Sequence, residues 1–370
     1  MHGKRAQGAA LVFSLGRKHM SQIRIGIVGA GGRGINAFGN IFQSQFAGQA
    51  RLLAVADPNR DRAAAGLEAI GAQADIHADY RALLARKDID AVVVTTPDYL
   101  HEEHCIAAFR RGKHVLVDKP LAISAGGCLR VIAAARKARK ILYMGFNLRH
   151  DVVLRRIKTM LAEGQLGRVF SMHAVEYYNG GRTYMARWNR LKKYAGSLFI
   201  HKGSHDFDII NWFMQPARPV RVSCFANVFC LNPKGLPFKT RPGVKPGPTC
   251  SACAYQDVCP DVNHLAIQSF AGVSADKLAA RNRMFDANAA KKDGYHKDLC
   301  IYLSDKDTHD QGVAIVEYDN GAVAMHSECF VTPLTDRLYR LDGTLGHLEA
   351  RPAREPDRNP AALEPGPERA

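Results

Sequence analysis

No apolar stretch in the 370-residue chain approaches the ~18 to 20 residues that a membrane-spanning helix requires. A spanning protein is therefore excluded and a soluble one is expected. Acid is in short supply, with 35 Asp and Glu against 51 Lys and Arg, a formal charge of +16. The basic residues are spread along the chain rather than gathered in one run, so neither nucleic acid nor a membrane is implied as a partner. The excess hints only at acidic ligands. A secretory signal is also lacking: residues 1–19, "MHGKRAQGAALVFSLGRKH", hold basic residues and a short apolar patch but no small-residue cleavage site. They read as a non-structural leader, with Met20 opening the folded protein. Nine cysteines, an odd number, then argue for a reducing, cytoplasmic setting rather than a disulfide scaffold. At the other end, residues 350–370 are proline-rich without apolar periodicity and read as a disordered tail.

The remaining length suits about two domains at roughly 150 residues each. Over 20–145, short apolar runs alternate with helical patterns: "IRIGIVG", "RLLAVAD", "IDAVVVTTP", "KHVLVDKP" and "ILYMGF". Nearly continuous apolar strands separated by helices imply an α/β domain, a doubly wound parallel sheet covered on both faces. The first strand runs into "GAGGRG", where Gly29, Gly31 and Gly34 have the G-x-G-x-x-G spacing and Gly32 and Arg33 complete the turn; a helix is expected through about Ala47. Glycines let the backbone approach a pyrophosphate while free N–H groups at the helix start face it. Asp57, ending the second strand, is placed to accept bonds from an adenosine ribose. Its charge favours NAD over NADP, a preference that Arg60 and Arg62 soften. Ligands of such sheets bind beyond the carboxyl ends of the strands. That rule selects Thr95, Thr96, Pro97 and His101 after one strand, and Asp118, Lys119 and Pro120 after the next.

Over 146–349 longer alternating strands appear, "RVFSMHAVEYY", "VRVSCFANVFCL", "GVAIVEYDNGAVAMHSECF" and "DRLYRLDGTLGHLEA". Asn320-Gly321 marks a hairpin in which both turn positions tolerate positive φ. This region reads as an α+β domain with a mostly antiparallel open sheet. Between two of its strands, Cys250, Cys253 and Cys259, with Cys300 later, could complete a tetrahedral structural zinc site; packed reduced thiols are the alternative.

In order, "GIVGAGGRG", "TTPDYLHEEH", "DKPLA", "MGFNLRH", "GQLGRV", "GSHDFDIINWF" and "YDNGAV" resemble the Gfo/Idh/MocA family, the glucose-fructose oxidoreductase and inositol dehydrogenase group. The resemblance implies a nicotinamide-dependent oxidoreductase with a Rossmann domain, and a homodimer or homotetramer formed through the open sheet. The family's E-K-P reads here as Asp118, Lys119, Pro120. Its D-x-x-x-H segment reads as His201 to His205, with an imidazole in place of the carboxylate. Lys119 and His205 are thus the expected catalytic pair, with His201 beside them. After "GTLGHLEA" such chains usually continue with further strand and helix, whereas this one turns into the tail.

Oxidising a secondary alcohol needs a hydride acceptor on one face of the carbon and a base near the hydroxyl. A free lysine, with a pKa near ~10.4, is too protonated for that task until burial and nearby positive charge lower it. Lys202, His201 and the helix start around His205 could supply that field, and Asp208, one turn on, could orient His205. Arg149, Tyr178, Arg187, Trp188 and Lys202 are candidate contacts to a hydroxyl-rich substrate. The expected activity is an NAD(P)-dependent oxidation or reduction of a sugar, cyclitol or sugar derivative. Two alternatives remain: tightly held NAD serving glycoside cleavage or epimerisation through transient oxidation, and a non-catalytic sensor.

Overall fold

The computed structural model describes residues 22–263 and 273–352. The expected leader and all but the first residues of the expected tail lie outside them. Six strands, β1 (Ile23–Val28), β2 (Ala50–Ala56), β3 (Asp75–His77), β4 (Ala91–Val94), β5 (His114–Val117) and β6 (Leu142–Met144), form a sheet in the order β3-β2-β1-β4-β5-β6. Every pairing is parallel, as the two-sided apolar runs predict. One face buries Val92, Val115, Phe109 and Val131 under the helices His101–Arg110 and Ala125–Ala138. The other buries Ile27, Ile35, Leu52 and Leu67 under the helix Arg60–Ile70. That helix starts where Asn59 accepts the Arg62 N–H and ends at left-handed Gly71 (φ 66°), each cap satisfying backbone groups the helix cannot. The strand order reverses between β1 and β4, which opens the ligand crevice at their carboxyl ends.

The second sheet contains β7 (Val169–Tyr177), β8 (Pro219–Asn227), β9 (Gln311–Tyr318), β10 (Val323–Cys329), β11 (Asp336–Gly343) and β12 (His347–Ala350), in the order β12-β11-β7-β10-β9-β8. Only β7 and β10 pair in parallel, so the mostly antiparallel expectation stands. The helices Val152–Ala162 and Ser204–Met214 cover one face, packing Leu154, Ile157, Ile209 and Phe213 on Met172, Ala324 and Tyr339. The opposite face leaves Phe225, Val313, Ile315 and Val323 exposed. The β9–β10 turn differs in detail from expectation. Gly321 alone takes positive φ (82°), and the Tyr318 N–H bonds to the Ala322 carbonyl. This is a three-residue loop, with the Asn320 side chain accepting the Ala322 N–H instead of its backbone turning left-handed.

One segment crosses between the two halves. The helices Ala275–Arg283 and Ala287–Asp293 lie on Arg60–Ile70, with Met284 in the same core as Ile35 and Leu67. No helix among the described residues is long and apolar enough to cross a membrane.

Candidate active site

The glycine turn is built for close approach. Gly29 sits at φ 100°, and a Cβ on Gly34 would stand 2.2 Å from the Gly29 carbonyl oxygen and 2.5 Å from Thr95 Oγ1. No side chain fits there. At Gly31, by contrast, a Cβ would meet no atom within 4 Å, leaving open space over the turn that a pyrophosphate can enter. The residues therefore fit a dinucleotide. The helix that follows is wound as a π-helix over Arg33–Gly39 and as an α-turn over Asn40–Gln43, shorter than expected. Arg33 spans the crevice and forks onto Asp118 at 3.0 and 3.2 Å.

Asp57 is where the pattern predicts, but it is buried and already employed. Its carboxylate accepts the N–H groups of Ala30 (3.0 Å) and Asn59 (2.9 Å), with Arg62 at 3.5 Å, and burial pushes its pKa up. Arg62 also meets Asp293 at 2.5 Å and donates to the Met284 carbonyl, with its guanidinium over Phe285 and Tyr295. The crossing segment thus lies beside Asp57 as a strap. Sequence patterning missed it because 275–297 is polar and carries no motif.

The candidates after β4 are tied into their own loops. Both ring nitrogens of His101 face carbonyl oxygens, Nδ1 that of Pro120 (2.6 Å) and Nε2 that of Thr96 (2.8 Å). It ties the two strand-end loops together. Thr96 Oγ1 is 3.1 Å from His104 Nδ1, and Thr95 Oγ1 donates to the Gly29 carbonyl (2.8 Å). Pro97 opens the short turn Asp98–Leu100.

Lys119, just past β5, reaches the segment that carries the imidazoles. Its ammonium bonds to the His201 carbonyl oxygen and lies 3.5 Å from His201 Nε2. His201 ends the helical turn Leu198–His201, which Ser197 caps by accepting the Ile200 N–H; His205 lies in the first turn of the helix Ser204–Met214. Burial is the main cause that lowers Lys119 to about 8, and Lys202 adds to it against the opposing pull of Asp98 and Asp118. Burial, then Lys119 and Lys202, hold both His201 and His205 well below the usual imidazole range. His201 is therefore neutral and is not the source of positive field that the sequence suggested; Lys202 is. His205 Nδ1 is buried without a partner. Asp208 does not orient it, because a bidentate pair to Arg149 (2.7 Å at each nitrogen) takes its carboxylate. The same pair, laid over Trp212 at 5.5 Å, removes Arg149 from the free substrate contacts.

Asp98 and Asn189 join the cluster without having been singled out in the sequence. Asp98 Oδ2 is 2.7 Å from His201 Nδ1, and Asn189 Nδ2 is 3.1 Å from His201 Nε2. The signal for Asp98 was present, two residues beyond Thr96 at a strand's carboxyl end. Lys202 pairs with Glu176 at 3.0 Å and lies 3.8 Å over the Tyr178 ring, so both residues wall the site. Trp188 and Tyr184 set their rings edge-on to His201. Arg187 Nε is buried with no hydrogen-bond partner.

The metal expectation is not supported. Cys250, Cys253, Cys259 and Cys300 do line one small cavity with Phe238 and Tyr255. Yet among the described residues no group of three or more His, Cys, Asp or Glu is arranged to hold a metal ion. Burial raises the Cys250 and Cys259 thiols.

Residues 23–146 match a family model described as "Oxidoreductase family, NAD-binding Rossmann fold", and 154–236 match "GFO/IDH/MocA C-terminal domain". The chain belongs to the Gfo/Idh/MocA oxidoreductase family. It is 29% identical to YteT of Bacillus subtilis (strain 168) over 279 residues, covering 74% of this chain and 63% of that one. With inositol 2-dehydrogenase 2 of Saccharopolyspora erythraea it shares 34% identity over 194 residues, 52% of this chain and 54% of the relative. It therefore spans between about half and two thirds of the length of these curated relatives. Among solved structures, the WlbA dehydrogenase of Bordetella pertussis, in complex with NADH and UDP-GlcNAcA, aligns with a TM-score of 0.63 at 19% identity, over 89% of this chain and 74% of that one. GenD2 from gentamicin A biosynthesis, in complex with NAD, gives 0.63 at 20% identity, over 94% and 75%. At such identities the likeness concerns the Gfo/Idh/MocA fold.

Proposed function

We propose that the chain is an NAD-dependent oxidoreductase acting on a secondary alcohol of a sugar, cyclitol or sugar derivative. The observation that carries this is the meeting of Lys119 with the His201–His205 segment at the carboxyl end of β5, beside a glycine turn open to a dinucleotide. The turn Gly29–Gly34, Asp57 and the loops after β4 and β5 would hold NAD, and the Asp57 carboxylate disfavours the 2′-phosphate of NADP, a preference that Arg62 beside it softens. The nicotinamide, when bound, supplies the hydride acceptor. The chain supplies the proton chemistry. Lys119, lowered to about 8, takes the hydroxyl proton in its neutral form, and neutral His205 shares the task. Lys202 keeps positive potential on the site, and Tyr178 and Trp188 offer faces to a hydroxyl-rich ligand.

NAD-linked turnover on a panel of polyols and sugars tests the reading, with Lys119→Met as the probe. Turnover should drop about 10²- to 10⁴-fold while NAD affinity holds; near-normal turnover would remove Lys119 from the mechanism. The strap over Asp57 favours a second reading, in which NAD stays bound and the alcohol is oxidised only transiently during cleavage or epimerisation. Denaturing the purified protein and quantifying released nucleotide separates the two. Near-stoichiometric NAD supports retention, and an empty protein that binds added NAD supports exchange. The exposed face at Phe225, Val313, Ile315 and Val323 supports a homodimer or homotetramer.

A further inference from the structure

His201 Nε2 is faced by two nitrogen donors, the Lys119 ammonium at 3.5 Å and the Asn189 side-chain amide at 3.1 Å. A nitrogen met by donors must offer a lone pair, so the imidazole proton belongs on Nδ1. There it points at Asp98 Oδ2, 2.7 Å away. Both side chains are nearly closed to solvent, Asp98 at 4% exposed and His201 at 12%, and the rings of Tyr184 and Trp188 wall the imidazole at 5.1 and 5.5 Å. A carboxylate, an imidazole and an amine thus stand in line, with their tautomers fixed by the surrounding donors.

We propose that Asp98 is a positioning residue that acts through His201, making this imidazole the group that accepts the proton Lys119 takes from substrate. The inference rests on the oxidoreductase reading. The neutral Lys119 amine takes the hydroxyl proton and becomes ammonium. One N–H then passes to His201 Nε2, a transfer that burial and Lys202 oppose and that the Asp98 carboxylate assists by holding the imidazolium Nδ1–H, and Lys119 returns to its amine form. One proton moves at each step, and the positive charge the cluster gains is balanced by the negative charge left on the alkoxide that gives up the hydride. The charged and titratable groups around this line are Asp98 and His101 from the loop after β4, Asp118 after β5, Glu176 from β7, Tyr184 from the turn after β7, Lys202 and His205 from the helix start, and Arg337 from β11. Of these, Asp98 alone bonds to the imidazole.

The test is the pH profile of kcat/KM for Asp98→Asn, made alone and with His201→Gln. The single variant should lose turnover about 10- to 100-fold, below the full range for proton transfer because the base itself remains. It should also shift the rising limb to lower pH by about one unit, because the negative charge that favours the Lys119 ammonium is gone. In the His201→Gln background the same change should add little, the non-additivity of groups that act as a unit. A limb that stays put, or an equal effect in both backgrounds, overturns the proposal. If no alcohol turns over, the function reading has failed rather than this one. Two measurements free of turnover then decide: ¹⁵N NMR of the His201 tautomer, and the pH dependence of Lys119 labelling by an amine reagent read by mass spectrometry. A His201 protonated on Nε2, or a labelling midpoint indifferent to Asp98→Asn, refutes the arrangement.

Discussion

Arg337 is the most informative single target for stability. From β11 it donates to both oxygens of Asp206, at 3.1 and 3.3 Å, and to Glu176; Tyr339 Oη adds a bond to Asp206 at 2.8 Å. Asp206 is fully buried and Glu176 is 1% exposed, so two carboxylates depend on one guanidinium, with Lys202 helping Glu176. Arg337→Met keeps most of the stem and removes the charge. The cost should be about 3 to 5 kcal/mol, the penalty for leaving buried charge unpaired, or roughly 6 to 20 °C in Tm at ~2 to 4 °C per kcal/mol. The pH dependence carries the sharper sign. Burial alone would push Asp206 up, but Arg337, His326 and a hydrogen bond shared with Glu176 together outweigh it and hold the acid at about 2. Wild-type stability from this group is therefore fully present above the unfolded carboxylate pKa of ~3.9 and is lost as pH falls towards about 2. In the variant burial prevails and the Asp206 pKa rises. Its penalty is then largest near neutrality and is relieved as the carboxyl protonates. Thermal unfolding of both proteins from pH 7 down to pH 4 should show the gap narrowing. A gap under ~1 kcal/mol at pH 7, or one that widens in acid, would refute the account.

Turnover that depends on the neutral Lys119 amine should rise with pH through about 8, and a flat kcat/KM from pH 6 to 9 would exclude it as the base. Gly31→Ala should leave Tm unchanged and weaken NAD binding at least tenfold, since its Cβ enters only the open space over the turn. Gly34→Ala, with its Cβ 2.2 Å from a carbonyl oxygen, should lower both; equal behaviour of the pair in calorimetry and nucleotide titration would misplace the pyrophosphate. Asp293→Ala removes the strap's carboxylate contacts to Arg62 and Asn59, leaving those of the Met284 and Ala289 carbonyls, and should speed NAD release in a stopped-flow chase, whereas an unchanged off-rate would mean these contacts do not govern exchange.

The legible parts of this protein are those fixed by local spacing. A glycine turn between two apolar strands needs only its own backbone, so Gly29, Gly31 and Gly34 could be placed from sequence, and Lys119 followed from its position at a strand end. Roles set by partners distant in sequence could not be. Asp208 and Asp206 are both acids on one helix, and helical spacing favoured Asp208 as the partner of His205. Arg149, 59 positions earlier, claims Asp208, while Arg337, 131 positions later, claims Asp206. The four cysteines had ligand-like spacing and share a cavity, yet spacing cannot say whether thiols close on a common centre. His201 shows why the distinction matters for chemistry. Read by the family's pattern it is a lost carboxylate, and that invites the conclusion of a dead site. With Asp98 behind it, 103 residues away in sequence and 2.7 Å in space, it is an imidazole backed by a carboxyl group, so the acid is displaced by one ring's width rather than removed, and burial raises it to about 7.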